Sequence, residues 1–439
     1  MARNVVITGA GAVHCFGVGA STALDALIEG RSGIAPIRAF DASTFAHRFG
    51  AELPDELKIR DFIPKSYRKA AKVMARDTQI AVIAAKDAIT RAGLVTAEEG
   101  TPEDDRTYPS WRFGCQIGAG LIAAEVEELA PAFGASTGDD GAFSLGAWGA
   151  GGMENLTPLW LLKYLPNMLA CHVTILHEAR GPSNTITNAQ ASGLLSLGET
   201  RTVIERDDAD CCMSGSAESK INPMGLERLR LAGLLDGADT DEPSRVVRPY
   251  DPAATTSAVG EGGGILICEA RDTALARGAT VLADVAGFGG GHTPARGDAK
   301  QRSVGLANAI SRAIADAGIT PADVDVVFPE ASGAPASDMI EAEALHAVFG
   351  DALASLPMIA LTPALGHAQA GAGGLKAAIA ATALHEGRFP APLSEHTPAS
   401  LLGLGKVDAE MPPSVRHALL CTGSIGGQNA ALVLRAHAG

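Results

Sequence analysis

The stretch that decides how this chain folds is Gly181-Pro182-Ser183-Asn184-Thr185-Ile186-Thr187-Asn188-Ala189-Gln190-Ala191-Ser192-Gly193. Its first half is typical of a β-strand, its small residues predict a sharp turn, and residues 194–205 have the apolar spacing of a helix. Such a turn presents its central residue beside free N–H groups at a helix N-terminus, where enzymes place a nucleophile and an oxyanion hole. Here the turn carries Gln190, whose amide is not nucleophilic at pH 7. The sequence therefore predicts the strand-turn-helix backbone of a covalent catalyst, but the residue in the turn cannot act as a nucleophile.

Composition excludes several classes of protein. The chain has 439 residues, 46% of them hydrophobic and 19% charged, which is enough for two or three domain-sized cores. A net charge of −15 argues against nucleic acid or an anionic membrane as a general partner. The seven cysteines have no metal-ligand spacing, so we expect buried, reduced thiols in the cytoplasm, with no metal and no cofactor. No signal peptide or membrane span is predicted.

Strand-like and helix-like segments alternate along the whole chain, which predicts an α/β protein with mostly buried sheets. Two halves of similar order suggest an internal duplication, and we place the division at residues 1–254 and 255–439. Residues 101–109 and 133–153 are predicted to be long surface loops. The predicted strands are 4–8, 113–117, 209–214, 263–269, 279–289, 324–329 and 357–362, and the predicted helices are 78–92, 191–206, 305–317, 338–348 and 371–386.

Further motifs lie in order along the chain, and they carry a family resemblance. They are Asn4-Val5-Val6-Ile7-Thr8-Gly9-Ala10-Gly11-Ala12-Val13, Arg248-Pro249-Tyr250-Asp251, Gly260-Glu261-Gly262-Gly263-Gly264, Gly366-His367-Ala368-Gln369-Ala370-Gly371-Ala372-Gly373-Gly374 and Gly426-Gly427-Gln428-Asn429. Together with the turn at Gln190, they make the chain resemble the β-ketoacyl synthases of the thiolase fold. The resemblance implies a five-layered αβαβα sandwich built from two pseudo-repeats.

The resemblance also implies a site, and most of that site is missing. Condensing members use a cysteine, two histidines and a lysine, and these positions match Gln190, Ser332, His367 and Thr362. The loop around Ser332 is two residues shorter than in the family, and the phenylalanine gate matches Ile425. Neutral Ser332 and Thr362 cannot replace cationic or strongly donating groups, so we do not expect this chain to condense acyl units by itself.

The pattern of loss resembles the chain-length factor, or KSβ, of type II polyketide synthases. The resemblance implies a heterodimer with an active ketosynthase paralogue, in which this subunit shapes the tunnel for the growing polyketide or fatty-acyl chain. His367 departs from that pattern, since chain-length factors often lack it. Two alternatives therefore stay open: a malonyl-carrier-protein decarboxylase that uses Gln190 and His367, and a non-catalytic homodimeric acyl-binding scaffold.

Two surface features are interpreted through the same resemblance. Lys65, Arg68, Lys69 and Lys72 belong to a basic strip that would attract an acidic acyl carrier protein, although a solvated helix face explains it equally well. The small and aliphatic side chains of residues 121–124 would border the tunnel, although ordinary helix packing explains them too. These four tunnel candidates are Leu121, Ile122, Ala123 and Ala124. The resemblance places the dimer contact at about residues 183–188.

Overall fold

The computed structural model describes residues 3–293, 296–393, 397–404 and 409–438. Its nine longer strands are β1 (Val5–His14), β2 (Phe113–Gly118), β3 (Ser183–Ile186), β4 (Cys211–Ser219), β5 (Val259–Ala270), β6 (Ala283–His292), β7 (Val326–Phe328), β8 (His417–Gly423) and β9 (Gln428–Ala436). Its longer helices include α1 (Ala20–Ile28), α2 (Arg76–Ala92), α3 (Met168–His177), α4 (Ser192–Glu205), α5 (Ala299–Asp316), α6 (Pro335–Phe349) and α7 (Ala372–Glu386). Shorter strands are Gly17–Val18, Ala35–Pro36 and Phe49–Ala51, and further helices are Val126–Gly134, Leu145–Ala150, Trp160–Lys163, Pro223–Leu231, Arg271–Ala276, Thr362–Leu365 and Pro398–Leu401.

The strands form two similar sheets joined edge to edge, in the order β7-β8-β9-β6-β1-β5-β4-β2-β3. In the first half, β2 runs parallel to β3 and β4, and the pairs β4–β5 and β5–β1 are antiparallel. In the second half, β7 and β8 are parallel, and β8–β9 and β9–β6 are antiparallel. The order of directions in β2-β4-β5-β1 therefore recurs in β7-β8-β9-β6, as an internal duplication predicts, and the first sheet has β3 in addition.

Helices cover both sheets and fill the space between them. Helices α4 and α7 contact each other and strands of both sheets, so they form the central layer. Helices α2 and α3 cover the outer face of the first sheet, and α5 and α6 cover the outer side of the second. The expected α/β class and five-layered arrangement are confirmed. The division at residue 254 stays a prediction, although β5, which follows it, pairs with β1 and β4.

Local sequence explains where these elements begin and end. Helix α2 ends at Gly93, whose φ of +64° is the left-handed conformation that glycine adopts most easily. Helix α5 begins with a capping box in which Asp298 and Gln301 bind each other's backbone N–H groups. Strand β1 extends to His14, beyond the predicted residues 4–8, because Gly9 and Gly11 let α2 pack directly on the backbone. A Cβ at Gly11 would lie 2.0 Å from the Ala84 carbonyl oxygen.

The predicted strand 357–362 is wrong. In the structure, Met358 forms an isolated bridge with Val327 of β7, and a short helix, Thr362–Leu365, begins where the predicted strand would end. The reason is Pro363 in the first turn of that helix, since its fixed φ favours a helix start. The predicted loop 133–153 contains the short helix Leu145–Ala150, and within the described residues no helix is long and apolar enough to cross a membrane.

Candidate active site

The central turn lies where the sequence predicts it. Strand β3 leads into residues 189–191, a single 3₁₀ turn, and α4 begins at Ser192. Ala189 has a φ of +47°, a strained value for a residue with a side chain, and such strain is often found at functional sites. The turn aims Gln190 inward, where 3% of its surface remains exposed.

Both ends of the Gln190 amide are hydrogen-bonded inside the protein. Its Nε2 donates to Oε1 of Gln369 over 2.8 Å, and its Oε1 accepts the backbone N–H of Ile425 over 3.3 Å. Gln369 sits in a second strained turn, with a φ of +50°, just before helix α7. The two turns that precede the two central helices are thus linked through their side chains. The side chain of Ile425, the predicted gate, is partly exposed.

His367 is held by two neighbours and is almost fully buried. Its Nδ1 accepts the backbone N–H of Gln369 over 3.0 Å, and its Nε2 lies 2.7 Å from Oε1 of Glu330. Because Nδ1 accepts a hydrogen bond, the neutral ring carries its proton on Nε2, facing the carboxylate. Both ring nitrogens are therefore occupied by the protein itself.

Glu330 in turn pairs with a buried lysine that the sequence analysis did not single out. Lys376, on helix α7, donates to Oε2 of Glu330 over 3.0 Å and to the carbonyl oxygen of Cys421 over 2.7 Å. Burial alone would raise the pKa of Glu330, but the Lys376 ammonium and then His367 lower it to about 2. The signal in the sequence was a lone charge in the apolar run of residues 374–384, because buried lysines occur only with partners.

Ser332 and Thr362 also make internal hydrogen bonds. The Ser332 hydroxyl donates to Oδ1 of Asp338 over 2.8 Å, and burial raises the pKa of that carboxyl to about 7. The Thr362 hydroxyl donates to the backbone carbonyl oxygen of Glu330 over 3.2 Å. All four positions that match the family's site are therefore close together, and the network includes Glu330, Asp338, Gln369 and Lys376 as further members.

A small cavity of about 60 Å³ opens beside Gln190. Since a water needs roughly 10–15 Å³ of such space, the cavity has room for a few waters. Its wall carries three carboxyl groups, Glu330, Asp338 and Glu341, against the guanidinium of Arg302. Gln190, Ser332, His367 and Ile425 all line it, whereas Thr362 lines a smaller neighbouring pocket with Lys376.

The tunnel candidates do not share one environment. Leu121 is 62% exposed, whereas Ile122, Ala123 and Ala124 are buried. Ile122 and Ala124 belong to the apolar core on the outer face of the first sheet. None of the four lines the cavity beside Gln190. The four docking candidates, Lys65, Arg68, Lys69 and Lys72, are all exposed, and within the described residues none has a carboxylate at salt-bridge distance.

Comparison with known proteins gives matches over almost the whole chain. Residues 2–274 match the family "Beta-ketoacyl synthase, N-terminal domain", and residues 282–395 match "Beta-ketoacyl synthase, C-terminal domain". The 3-oxoacyl-[acyl-carrier-protein] synthase 2 of Vibrio cholerae is 28% identical over 439 residues, covering 99% of both chains. The same-named protein of Coxiella burnetii is 28% identical over 441 residues, covering 98% of both.

Two solved structures share the fold over the full length of the chain. One is the ishigamide ketosynthase/chain length factor, with 27% identity, a TM-score of 0.78 and coverage of 100% of both chains. The other is a type II PKS acyl-carrier protein in complex with its ketosynthase bound to the hexaketide, with 21% identity, a TM-score of 0.79 and the same coverage.

Proposed function

The chain belongs to the β-ketoacyl synthase family, and from this premise we propose that it is the non-condensing partner of an active ketosynthase, a chain-length factor in polyketide or fatty-acyl synthesis. The observation that carries the proposal is the pairing of Gln190 with Gln369 and Ile425. The residue at the nucleophile's position has no reactive atom, and the N–H of Ile425 beside it is already occupied. These features support a structural role for the chain in a complex rather than a catalytic role.

The decarboxylase alternative is less well supported. Decarboxylation of a malonyl group requires donors that stabilise the enolate, and both nitrogens of His367 are already engaged. The malonyl carboxylate would also meet Glu330, which the Lys376 ammonium keeps ionised, so like charges would face each other in the cavity beside Gln190.

An open strand edge and exposed apolar side chains support assembly with a second subunit. Within the described residues β3 pairs with β2 alone, so its other edge is open. Large apolar side chains are also exposed in the chain between residues 121 and 161, and exposed apolar surface often marks a protein contact. They include Leu121, Phe133, Phe143, Leu145, Leu159 and Leu161. The exposed cluster of Lys65, Arg68, Lys69 and Lys72 supports an acidic acyl carrier protein as a second partner.

We expect the chain to form a stable heterodimer with a cysteine-containing paralogue when the two are co-expressed. The Thr185 N–H bonds the side chain of Asn184 on the open edge of β3, so Thr185→Pro removes an outward donor without a loss of pairing to β2. This variant should weaken assembly at least about tenfold, since a buried hydrogen bond is lost. Size-exclusion chromatography with light scattering measures the complex.

Thr185→Ser is the matched control, because it keeps the backbone N–H and should assemble normally. A wild-type chain that stays monomeric beside the paralogue would overturn the proposed function. A wild-type chain that assembles equally well with itself would favour the homodimeric scaffold.

Leu121→Trp and Ala124→Phe are expected to behave differently in the assembled complex. Leu121 has room to project toward a tunnel, so a larger side chain there should shorten the product by one or two extension units of roughly 2.5 Å each. Ala124 lies in the apolar core, so Ala124→Phe should cost about 1–3 kcal/mol of stability through overpacking. Mass spectrometry of the product measures its length, and thermal melting of the complex measures its stability, so the two effects can be distinguished. Unchanged product length in a folded Leu121→Trp complex would remove Leu121 from the tunnel.

A further inference from the structure

A buried ion pair lies directly behind the segment that carries the tunnel candidates. Lys220, just after strand β4, is 8% exposed, and its ammonium bonds the carboxylate of Glu218. Burial raises the pKa of a third member, Asp77, to about 7, although the Lys220 ammonium acts in the opposite direction. A charge buried this deeply is costly unless it is fully paired, so its position calls for a physical reason.

The ion pair contacts a backbone segment that makes few other hydrogen bonds. Residues 119–125 belong to no helix or strand. The Ala119 N–H donates to the carbonyl oxygen of Ile186 over 2.9 Å, and the Glu125 N–H donates to the Tyr164 hydroxyl over 3.2 Å. Between these two points, the described residues give the backbone two hydrogen bonds, from the Ser192 hydroxyl to the carbonyl oxygen of Ala119 over 3.1 Å and from Lys220 Nζ to the carbonyl oxygen of Leu121 over 2.7 Å.

Contact on the other side of the segment is equally close. A Cβ at Gly120 would lie 1.8 Å from Oε1 of Glu218, so the carboxylate packs directly on that backbone. The second oxygen, Oε2, accepts the N–H of Ala370 over 2.7 Å. Ala370 follows Gln369, the residue that binds Gln190. Glu218 and Lys220 therefore tie residues 120–121 to the turn at the centre of the site.

We infer that Lys220 and Glu218 form a buried clamp that positions residues 120–124, and that this clamp thereby determines the length of the acyl chain made by the complex. The second half of the inference rests on the proposed function. Lys220 and Glu218 act through the segment and are positioning residues, because neither lines the cavity beside Gln190. The irregular backbone would otherwise sample several positions, and a tunnel wall that moves cannot set one product length.

The double variant Glu218→Gln/Lys220→Met tests the clamp. It removes both charges of the ion pair together, so that neither Glu218 nor Lys220 is left buried without its partner. We expect amide exchange in residues 119–125 of the purified chain to become at least about tenfold faster, because a charged hydrogen bond is lost. In the complex with the active paralogue, we expect a product distribution shifted by at least one extension unit.

Two further variants keep the result interpretable. Gly120→Ala pushes the segment off Glu218 without changing any charge, and should act in the same direction if the double variant does not fold. Lys86→Met breaks the more exposed pair with Glu98 and should change neither exchange in residues 119–125 nor product length.

Unchanged exchange in both clamp variants would overturn the inference. Faster exchange with unchanged product length would overturn the role in chain length and leave the proposed function intact, since the wild-type complex still makes product. A wild-type chain that forms no productive complex would instead refute the proposed function, while the exchange measurement would still decide whether the clamp exists.

Discussion

Gln190→Cys is expected to leave the isolated chain at least about 10⁴-fold slower in condensation than an active ketosynthase. Residues of a catalytic unit act together, so restoring one member recovers little when the others are absent. The new thiol would face neutral Ser332, which bonds Asp338, and His367, whose two nitrogens are taken by Gln369 and Glu330. Of the described residues at these positions, neither Ser332 nor His367 is free to take the thiol proton or to stabilise an enolate.

To measure the condensation activity, the variant is incubated with acyl-carrier protein and malonyl-carrier protein. The mass of the intact chain then reports acylation, and product analysis reports turnover. Gln190→Ala is the matched control, because it also loses both hydrogen bonds of the amide without adding a thiol. The wild-type chain and Gln190→Ala should remain unmodified. If the isolated Gln190→Cys variant made ketoacyl product at the rate of an active synthase, the rest of the site would still be catalytically competent. The interpretation that Ser332 and Thr362 mark lost catalytic groups would then be wrong.

Lys376→Met is expected to lower the free energy of unfolding by about 3–5 kcal/mol, since it leaves the carboxylate of Glu330 buried without its cation. Arg230→Met is the control at the exposed ion pair with Glu227 and should change the free energy of unfolding far less, because water solvates both side chains. Urea unfolding followed by circular dichroism gives both values. A loss under about 1 kcal/mol in Lys376→Met would mean that the buried pair does not stabilise the site.

The Lys376–Glu330 pair also predicts how the free energy of unfolding depends on pH. The folded pKa of Glu330 is about 2, below its ordinary value of 4.5, so its stabilising contribution is fully present above about pH 4.5. That contribution is lost as the pH falls from 4.5 toward 2, where the folded protein also takes up the proton. The difference in stability between wild type and Lys376→Met should therefore be largest near neutral pH and should narrow in that acidic window. A difference that stays constant down to pH 3 would argue against an ionised Glu330.

The duplicated α/β order and the turn at Gln190 could be predicted because they depend on local patterns. The spacing of apolar residues over a short window indicates helices and strands, and particular residue types, such as glycine, asparagine and serine, mark the turns between them. The assignment of Gln190, Ser332 and Thr362 to catalytic positions of the family is a prediction that likewise needs no coordinates, because each residue lies inside a recognisable motif. The segment 357–362 was mispredicted because its apolar residues suit a strand, while Pro363 starts a helix there.

The contacts inside the site could be decided only by the tertiary structure. Gln190 meets Gln369 and Ile425 across 179 and 235 residues of chain, and Lys376 reaches Glu330 from a different layer of the fold. The sequence by itself predicts that Gln190 stands where a nucleophile is expected. Whether the vacated position is open to substrate or closed by internal hydrogen bonds depends on distances of about 3 Å between side chains from remote segments. Local sequence patterns carry no information about such distances, because they arise only when two sheets and their helices pack together.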